Sequence, residues 1–110
     1  MLFNLSGEKT RASVNISSSG DNILIPAITD GEIHVSQLLG GPDGAVTVTI
    51  KCGSRTVGVY NLSAGESITE TSNVDQPGEP RFKCYQGENF IVNLSAATPF
   101  TGSVEYSYKR

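Results

Sequence analysis

Residues 40–53, GGPDGAVTVTIKCG, decide how the rest of the chain can fold. Asp43-Gly44 is a pair that tolerates positive φ, and Pro42 restricts the backbone that leads into it, so a turn is predicted there. After this turn, residues 46–51, VTVTIK, alternate β-branched apolar side chains with polar ones. A period of two predicts a strand with one apolar and one polar face. Such a strand needs neighbours in a sheet and a second layer over its apolar face.

Strand signals separated by turn residues recur on both sides of this stretch. Eight segments from residue 22 onward, and a brief one before them, carry alternating or β-branched residues between clusters of Gly, Asn, Asp and Ser. The predicted strand segments are 13–16, 22–29, 32–39, 46–51, 56–62, 66–71, 81–85, 89–96 and 103–109. No helical period occurs among them. The predicted fold is all-β: a single antiparallel β-sandwich, jelly-roll-like, of about eight short strands.

Composition limits the domain organisation. The chain has 110 residues, enough for one domain with its own core, and only 17% of them are charged, as is common in sandwiches and barrels. We expect a sandwich domain over residues 13–110, preceded at 1–12 by an N-terminal arm or a first strand. Pro26 inside the apolar segment 22–29 predicts an edge strand or a bulge, because proline cannot donate to a sheet.

The alternation also predicts which side chains form the core. Slipping the register of a half-buried strand by one residue would expose all its apolar side chains, so the inward faces are strongly specified. The predicted core residues are Ile23, Ile33, Val35, Val46, Val48, Ile50, Val59, Phe82, Phe90, Val92, Leu94, Val104 and Tyr106.

Charge and hydropathy exclude some classes of partner. The net charge of −3 argues against nucleic acid, since phosphate contacts need a surplus of Lys and Arg. No apolar run approaches the roughly 20 residues of a membrane span. The first residues, MLFNLSGEKTR, lack the basic start and apolar stretch of an export signal, which predicts a protein made and kept in a cytoplasm. In that compartment Cys52 and Cys84 are expected to be reduced, with a disulfide worth roughly 3–4 kcal/mol as the alternative.

The polar residues form no pattern that predicts catalysis. Glycoside hydrolysis needs two carboxylates across a cleft, yet Glu66, Glu70 and Glu88 all fall in predicted polar strand faces or turns. His34 lies in an alternating strand segment, and no nucleophile elbow occurs in the chain. One histidine and two distant cysteines make no zinc set. The sequence therefore predicts a protein that is not an enzyme and holds no metal or cofactor.

Three segments carry a resemblance to a known group of proteins. They are DGAVTVTIKCGS, YNLSAGESI and NFIVNLSAATPFTGSVEYSY, in that order along the chain. Over about residues 23–108 the chain resembles small structural proteins of tailed-phage virions. In size and completeness it is most similar to capsid decoration proteins, also called cement or staple proteins.

This resemblance implies a structural role on a virus particle. Decoration proteins are jelly-roll-like domains that bind the outer surface of the capsid as homodimers or homotrimers and join neighbouring subunits of the major capsid protein. For this chain the resemblance implies a virion location after assembly in the host cytoplasm, and a homodimer, with a homotrimer as the alternative. A carbohydrate-binding β-sandwich module is the alternative function, although such modules usually expose aromatic side chains and this chain has no Trp.

Two segments outside the strand pattern are predicted to contact the capsid. The N-terminal arm combines apolar side chains with two cations that would meet an acidic surface: Leu2, Phe3, Leu5, Lys9 and Arg11. The loop at 72–80 is stiffened by prolines, which lowers the entropy lost on docking, and its candidate residues are Asn73, Asp75 and Pro77. The arm is favoured, and the alternative is that Phe3 and Leu5 belong to the first strand.

Overall fold

A computed structural model describes residues 9–72 and 79–110, which contain strands and turns. Nine strands lie in this part of the chain. In order they are β1 (Thr10–Ile16), β2 (Gly20–Ile25), β3 (Glu32–Pro42), β4 (Val46–Cys52), β5 (Arg55–Leu62), β6 (Ile68–Thr71), β7 (Phe82–Cys84), β8 (Phe90–Leu94) and β9 (Phe100–Lys109). The stretch at 40–53 thus contains the end of β3, the predicted turn and all of β4.

The strands form two antiparallel sheets. Sheet A has the order β1-β9-β3-β6, and β7 also pairs with β3, while sheet B has the order β2-β8-β4-β5. β6 pairs with residues 37–40 of β3 and β7 with residues 33–35, so the two short strands share one edge of β3. They occupy a single strand position, and the two sheets together have eight positions.

The order of pairing identifies the topology as a jelly roll. β4 pairs with β5, β3 with β6 and β7, β2 with β8, and β1 with β9, as in a long hairpin that is wound over two sheets. Successive strands therefore lie in different sheets, with two exceptions: β4 and β5 both belong to sheet B, and β6 and β7 both belong to sheet A. This arrangement confirms the predicted jelly-roll-like β-sandwich of about eight strands.

The inward faces of the two sheets form one apolar core. Most of the predicted core residues are buried: Ile33, Val35, Val46, Val48, Ile50, Phe82, Phe90, Val92, Leu94 and Val104. Tyr106 is half-buried and packs against them. The core also contains residues that the alternation did not select, among them Val14, Ile25, Leu38, Ile68 and Phe100.

Ile23 is not a core residue, contrary to the prediction, and is 58% exposed. The pairing of β2 with β8 shifts by one residue between Ile23 and Ile25. Leu24 is the extra residue of this β-bulge, and beyond it Ile25 points inward and is 1% exposed. β2 lies at the edge of sheet B and ends just before Pro26, so the prediction of an edge strand or a bulge is confirmed on both points.

Val59 is likewise exposed, by 57%, although the alternation placed it in the core. The pairing of β5 with β4 shifts between Ile50 and Lys51, which leaves Val57 as the extra residue on β5. Past this bulge Tyr60 and Leu62 pack against the core. The side chain of Val59 therefore points to the outside of sheet B.

Cys52 and Cys84 form a disulfide, so the expectation of two reduced thiols is wrong. Cys52 ends β4 in sheet B and Cys84 ends β7 in sheet A, with their Cα atoms 5.0 Å apart. Both residues are fully buried. The bond joins the two sheets through the core, because inward positions on opposite sheets meet there even when 32 residues separate them in sequence.

Two glycines allow β3 and β9 to pack closely. Gly40 and Gly102 are cross-strand partners. A Cβ at Gly40 would lie 2.8 Å from the ring of Phe100, which is fully buried, and a Cβ at Gly102 would collide with the carbonyl oxygen of Leu39. β9 begins at Phe100, three residues before the strand segment 103–109 that was predicted from the sequence.

Candidate binding surface

The outer face of sheet B differs from the outer face of sheet A because it carries exposed aliphatic side chains. Across the four strands, Val59, Thr49, Asn93 and Asp21 are successive neighbours. In the adjoining row Lys51, Ile91 and Ile23 are neighbours on β4, β8 and β2. We call these residues the sheet B surface: Asp21, Ile23, Thr49, Lys51, Val59, Ile91 and Asn93.

The two charges of the sheet B surface neutralise each other. The Lys51 ammonium lies 3.1 Å from both carboxylate oxygens of Asp21, and Asn93 Nδ2 donates to Asp21 Oδ1 at 2.8 Å. Lys51 and Asp21 lie on strands that flank β8, so the Lys51 stem crosses β8 over Ile91. This explains why Ile91 is only 7% exposed although it is on the outer face.

Hydrogen bonding also keeps Asp21 ionised. The bond from Asn93, followed by that from Lys51, lowers the pKa of Asp21 from its ordinary value of 3.8. Asp21 therefore stays ionised and paired with Lys51 at neutral pH. What the sheet B surface offers to a partner is aliphatic: Ile23 on one edge strand and Val59 on the other.

The outer face of sheet A is different, because charged side chains are bonded along it. Glu105 on β9 accepts hydrogen bonds from Ser36 at 2.8 Å and from Arg11 at 3.1 Å, and Lys9 lies 3.8 Å away. The Ser36 bond is the main cause of the lowered pKa of Glu105, and both cations contribute. His34 Nε2 and Glu32 Oε1 are 2.9 Å apart on the same face.

These contacts bear on the predicted capsid-binding residues. Lys9 and Arg11, expected to meet an acidic capsid surface, are each paired with Glu105 of their own chain. Arg11 belongs to β1, which begins at Thr10, so the boundary expected between residues 12 and 13 falls inside the first strand. The other predicted contact residues lie outside the described residues: Leu2, Phe3, Leu5, Asn73, Asp75 and Pro77.

The carboxylates considered for catalysis each stabilise local structure. Glu66 accepts a hydrogen bond from the backbone N–H of Ser63 at 2.6 Å. Glu88 accepts from Arg55 at 2.7 Å and from the backbone N–H of Tyr85 at 2.7 Å, and the Arg55 bond is the main cause of its lowered pKa.

Glu70, the third of these carboxylates, joins the two sheets. It accepts a hydrogen bond from Tyr60 at 2.7 Å and forms an ion pair with Arg81 at 2.6 Å. Glu66, Glu70 and Glu88 thus have separate sets of partners. Each of them stabilises either a turn or the edge of a sheet.

Tyr85 is the exposed aromatic side chain best suited to stack on a sugar ring. It lies at the end of the sandwich that contains the disulfide. Tyr85 is 50% exposed, and the Arg55 guanidinium lies 4.6 Å from the centre of its ring. Arg55 is held in turn by Glu88. One face of the ring is therefore occupied by a cation from the same chain.

A shallow cleft of about 370 Å³ lies at the opposite end of sheet B. Residues at the start of β4, the end of β5 and the end of β8 line it: Ala45, Val46, Thr47, Asn61, Leu62, Ser63 and Ser95. Thr47 donates to Asn61 Oδ1 at 2.8 Å, and its backbone N–H donates to Ser95 Oγ at 2.9 Å. The lining is uncharged and rich in hydroxyl groups.

Comparisons with known proteins add no assignment. Neither a protein-family model nor a curated protein sequence matches this chain. Among residues 9–72 and 79–110, no group of three or more His, Cys, Asp or Glu side chains is placed to hold a metal ion. The same residues contain no helix of the length and hydropathy needed to cross a membrane.

Sequence reasoning missed the two residues that mark the sheet B surface. It placed Ile23 and Val59 in the core because they continue an apolar alternation. For Val59 a signal was present: Tyr60 and Leu62 make the other face of β5 larger and more apolar. For Ile23 the neighbouring Pro26 indicated a bulge, but not which residue the bulge would turn outward.

Proposed function

We propose that this protein is a non-enzymatic structural component of a tailed-phage virion, a decoration protein on the outer surface of the capsid. In this role it binds the major capsid protein and stabilises contacts between neighbouring capsid subunits as a homodimer, with a homotrimer as the alternative. Assembly takes place in the host cytoplasm. The proposal rests on the sequence resemblance together with a jelly-roll fold, an architecture common in viral capsid domains.

The sheet B surface is the observation that carries a protein-binding role. Ile23 and Val59 are each more than half exposed on a sheet face whose Lys51 and Asp21 charges are paired. Exposed aliphatic side chains on such a face favour contact with another protein, because burying them is favourable and no unpaired charge must be desolvated.

The disulfide supports a location outside the reducing cytoplasm. Disulfides persist on secreted proteins and virion surfaces, whereas cytosolic thiols are kept reduced. Once particles leave the host, an external oxidant such as dissolved oxygen would take two electrons from the Cys52 and Cys84 thiols, and two protons would be released as the bond forms. The bond would then stabilise the sandwich by constraining the unfolded chain.

The carbohydrate-binding alternative has one observation in its favour. The cleft at the end of sheet B presents hydroxyl and amide groups of Thr47, Asn61, Ser63 and Ser95, which could bond sugar hydroxyls. It has no aromatic side chain on which a sugar ring would stack. A glycan array on the purified protein tests this alternative: specific binding that Asn61→Ala abolishes would support it.

Binding to purified particles tests the decoration role. We expect the protein to co-sediment with capsids of the phage that encodes it, and to saturate them. Ile23→Lys places a charge on the sheet B surface and should weaken this binding at least about tenfold. Tyr85→Lys, on an exposed residue at the end of the sandwich, is the matched control and should bind normally.

The N-terminal arm is tested by a separate deletion. Removing residues 1–8 leaves Lys9 and all of β1 in place, so the sandwich should stay folded. Loss of particle binding by a folded deletion variant would assign the capsid contact to the arm. Failure of the unmodified protein to bind particles at any concentration would contradict the decoration role itself.

A further inference from the structure

We propose that β5 is the self-association surface of this protein. Two copies would place their β5 strands side by side, antiparallel, across a two-fold axis. Hydrogen bonds between the two backbones would then join both copies of sheet B into one continuous sheet of eight strands. The occupant of the β5 edge is thus a second copy of the same chain.

The other edges of the sandwich carry features that discourage strand pairing. β1 begins beside Lys9 and includes Arg11, and charged edges resist pairing. β2 is bulged and is followed at once by Pro26. The remaining edge of sheet A consists of two separate short strands, β6 and β7, of four and three residues.

β5 lacks these features over most of its length. Residues 56–62, TVGVYNL, contain no charged residue and no proline. Its bulge at Val57 affects the first half, and Gly58 to Leu62 pair regularly with β4. Five residues of strand span about 17 Å, enough for several backbone hydrogen bonds to a partner strand.

The backbone of this segment is open on one side. β5 pairs with β4, and no strand within residues 9–72 and 79–110 pairs with its other side. In a strand, N–H and C=O groups point alternately to the two sides, so about half of those on β5 face outward. An outward row of donors and acceptors is a template for another strand, and an antiparallel copy of itself presents the complementary row.

The side chains around the edge permit a second copy to approach. The chain carries a net charge of −3, so two copies repel each other unless they meet at a neutral patch. Val59 and Asn61 supply such a patch on the outer face of β5. On the inner side, Glu70 and Arg81 beside Tyr60 form an ion pair and neutralise each other.

Two-fold pairing has consequences for stoichiometry and affinity. It closes with two copies, so it selects the dimer and excludes the trimer at this surface. A contact built on one short strand and its flanking side chains falls at the small end of specific interfaces, and we expect a dissociation constant on the order of 1–100 µM. The inference rests on the self-association part of the proposed function and needs no capsid.

Sedimentation equilibrium of the purified protein tests the stoichiometry. Between about 1 and about 500 µM the mass should rise from monomer to dimer and no further. Val59→Lys should raise the dissociation constant at least about tenfold, because it would bring two like charges onto the same face of the joined sheet, one on each side of the axis. Ile23→Lys is the matched control: Ile23 is equally exposed, on the opposite edge of the same sheet, and should leave the dimer intact.

Amide hydrogen exchange tests the location without a substitution. Exchange at residues 58–62 should slow as the protein is concentrated, while exchange along β1 and β2 stays constant. The inference is overturned by a monomer at about 500 µM, by a trimer, or by equal effects of Val59→Lys and Ile23→Lys. Protection of β5 by capsids but not by self-association would also overturn it, and would assign the edge to the capsid protein.

A failure of this kind is separate from failure of the decoration role. The dimer is measured on the purified protein without capsids, and particle binding is measured on capsids. Loss of particle binding in Ile23→Lys, a variant that keeps the dimer, bears on the decoration role alone, whereas a monomeric unmodified protein bears on the β5 interface alone. Thermal unfolding of both variants checks that each is folded; both sites are more than half exposed, so neither melting temperature should fall.

Discussion

The hydroxyl of Tyr60 on β5 donates a hydrogen bond to Glu70 Oε2 on β6 across a distance of 2.7 Å. The two residues belong to different sheets, so this bond joins sheet B to sheet A where both sheets end. Arg81 Nε, just before β7, binds the other oxygen of Glu70 at 2.6 Å. Tyr60, Glu70 and Arg81 thus connect the two sheets on the side of the sandwich where β5 lies.

Removing the Tyr60 hydroxyl should weaken this connection. Tyr60→Phe is expected to lower the free energy of unfolding by about 1 kcal/mol, because a hydrogen bond to a carboxylate is lost while Glu70 keeps its pair with Arg81. Urea unfolding measures the change. Tyr85→Phe removes an exposed hydroxyl and should have no effect; equal losses in both variants would contradict the assigned role of Tyr60.

The same bond predicts a pH dependence on the alkaline side. Burial, together with the bond to Glu70, raises the pKa of Tyr60 from 10.0 to about 12. A raised pKa means that the folded state favours the neutral hydroxyl, so this stabilisation is complete below pH 10.0 and is lost as the pH rises through about 12. The stability difference between the unmodified protein and Tyr60→Phe should shrink over that window. A difference that stays constant would contradict the link.

On the acid side, several ion-paired carboxylates act in the opposite sense. Burial disfavours the charged form of Glu70, but the bonds from Tyr60 and Arg81 outweigh it, so its pKa lies below the ordinary 4.5. A lowered pKa contributes stability above 4.5 that is lost as the pH falls through the folded value. Glu70→Gln should therefore flatten the fall in melting temperature below that pH. An unchanged acid profile would show that Glu70 contributes little.

The disulfide should make a larger contribution than any of these bonds. Replacing both Cys52 and Cys84 with Ala is expected to lower the free energy of unfolding by about 3–4 kcal/mol, since the bond closes a loop of 32 residues in the unfolded chain. Mass spectrometry without reductant, before and after alkylation, shows whether the bond is present. Two free thiols in folded protein purified without reductant would contradict the inter-sheet link.

Core burial can be tested with three valines. Val48 and Val92 are fully buried on β4 and β8, and Val59 is 57% exposed. Val48→Ala and Val92→Ala should each cost about 1–3 kcal/mol, whereas Val59→Ala should change stability by less than about 0.5 kcal/mol. Equal losses at all three positions would contradict the inward and outward faces described for sheet B.

The sequence predicted the fold well where strands are regular. The alternation in residues 46–51 was reliable because Val46, Val48 and Ile50 lie on a central strand with neighbours on both sides. It failed at Ile23 and Val59, because one extra residue in a bulge breaks the alternation between the side chains before it and those after it. Bulges leave little trace in composition, so period-two reasoning cannot place them.

The candidate binding surface was harder to predict than the core. The edge position of β5 follows from the order of all strands, which no local pattern encodes. The disulfide was predicted only as the alternative, because the expected cytoplasmic location favoured reduced thiols. Its geometry depends on the order of the strands: Cys52 and Cys84 meet because β4 and β7 face each other across the core. Lys9 and Arg11 looked free in the sequence, but their partner Glu105 lies at the other end of the chain.

Protein content of purified particles tests the central claim most directly. If the proposed decoration role is right, quantitative mass spectrometry of virions from a phage whose genome carries this sequence should find the chain in fixed proportion to the major capsid protein, and protease treatment of intact particles should reach it. Its absence from purified particles, or recovery only in amounts unrelated to the capsid protein, would contradict a decoration role.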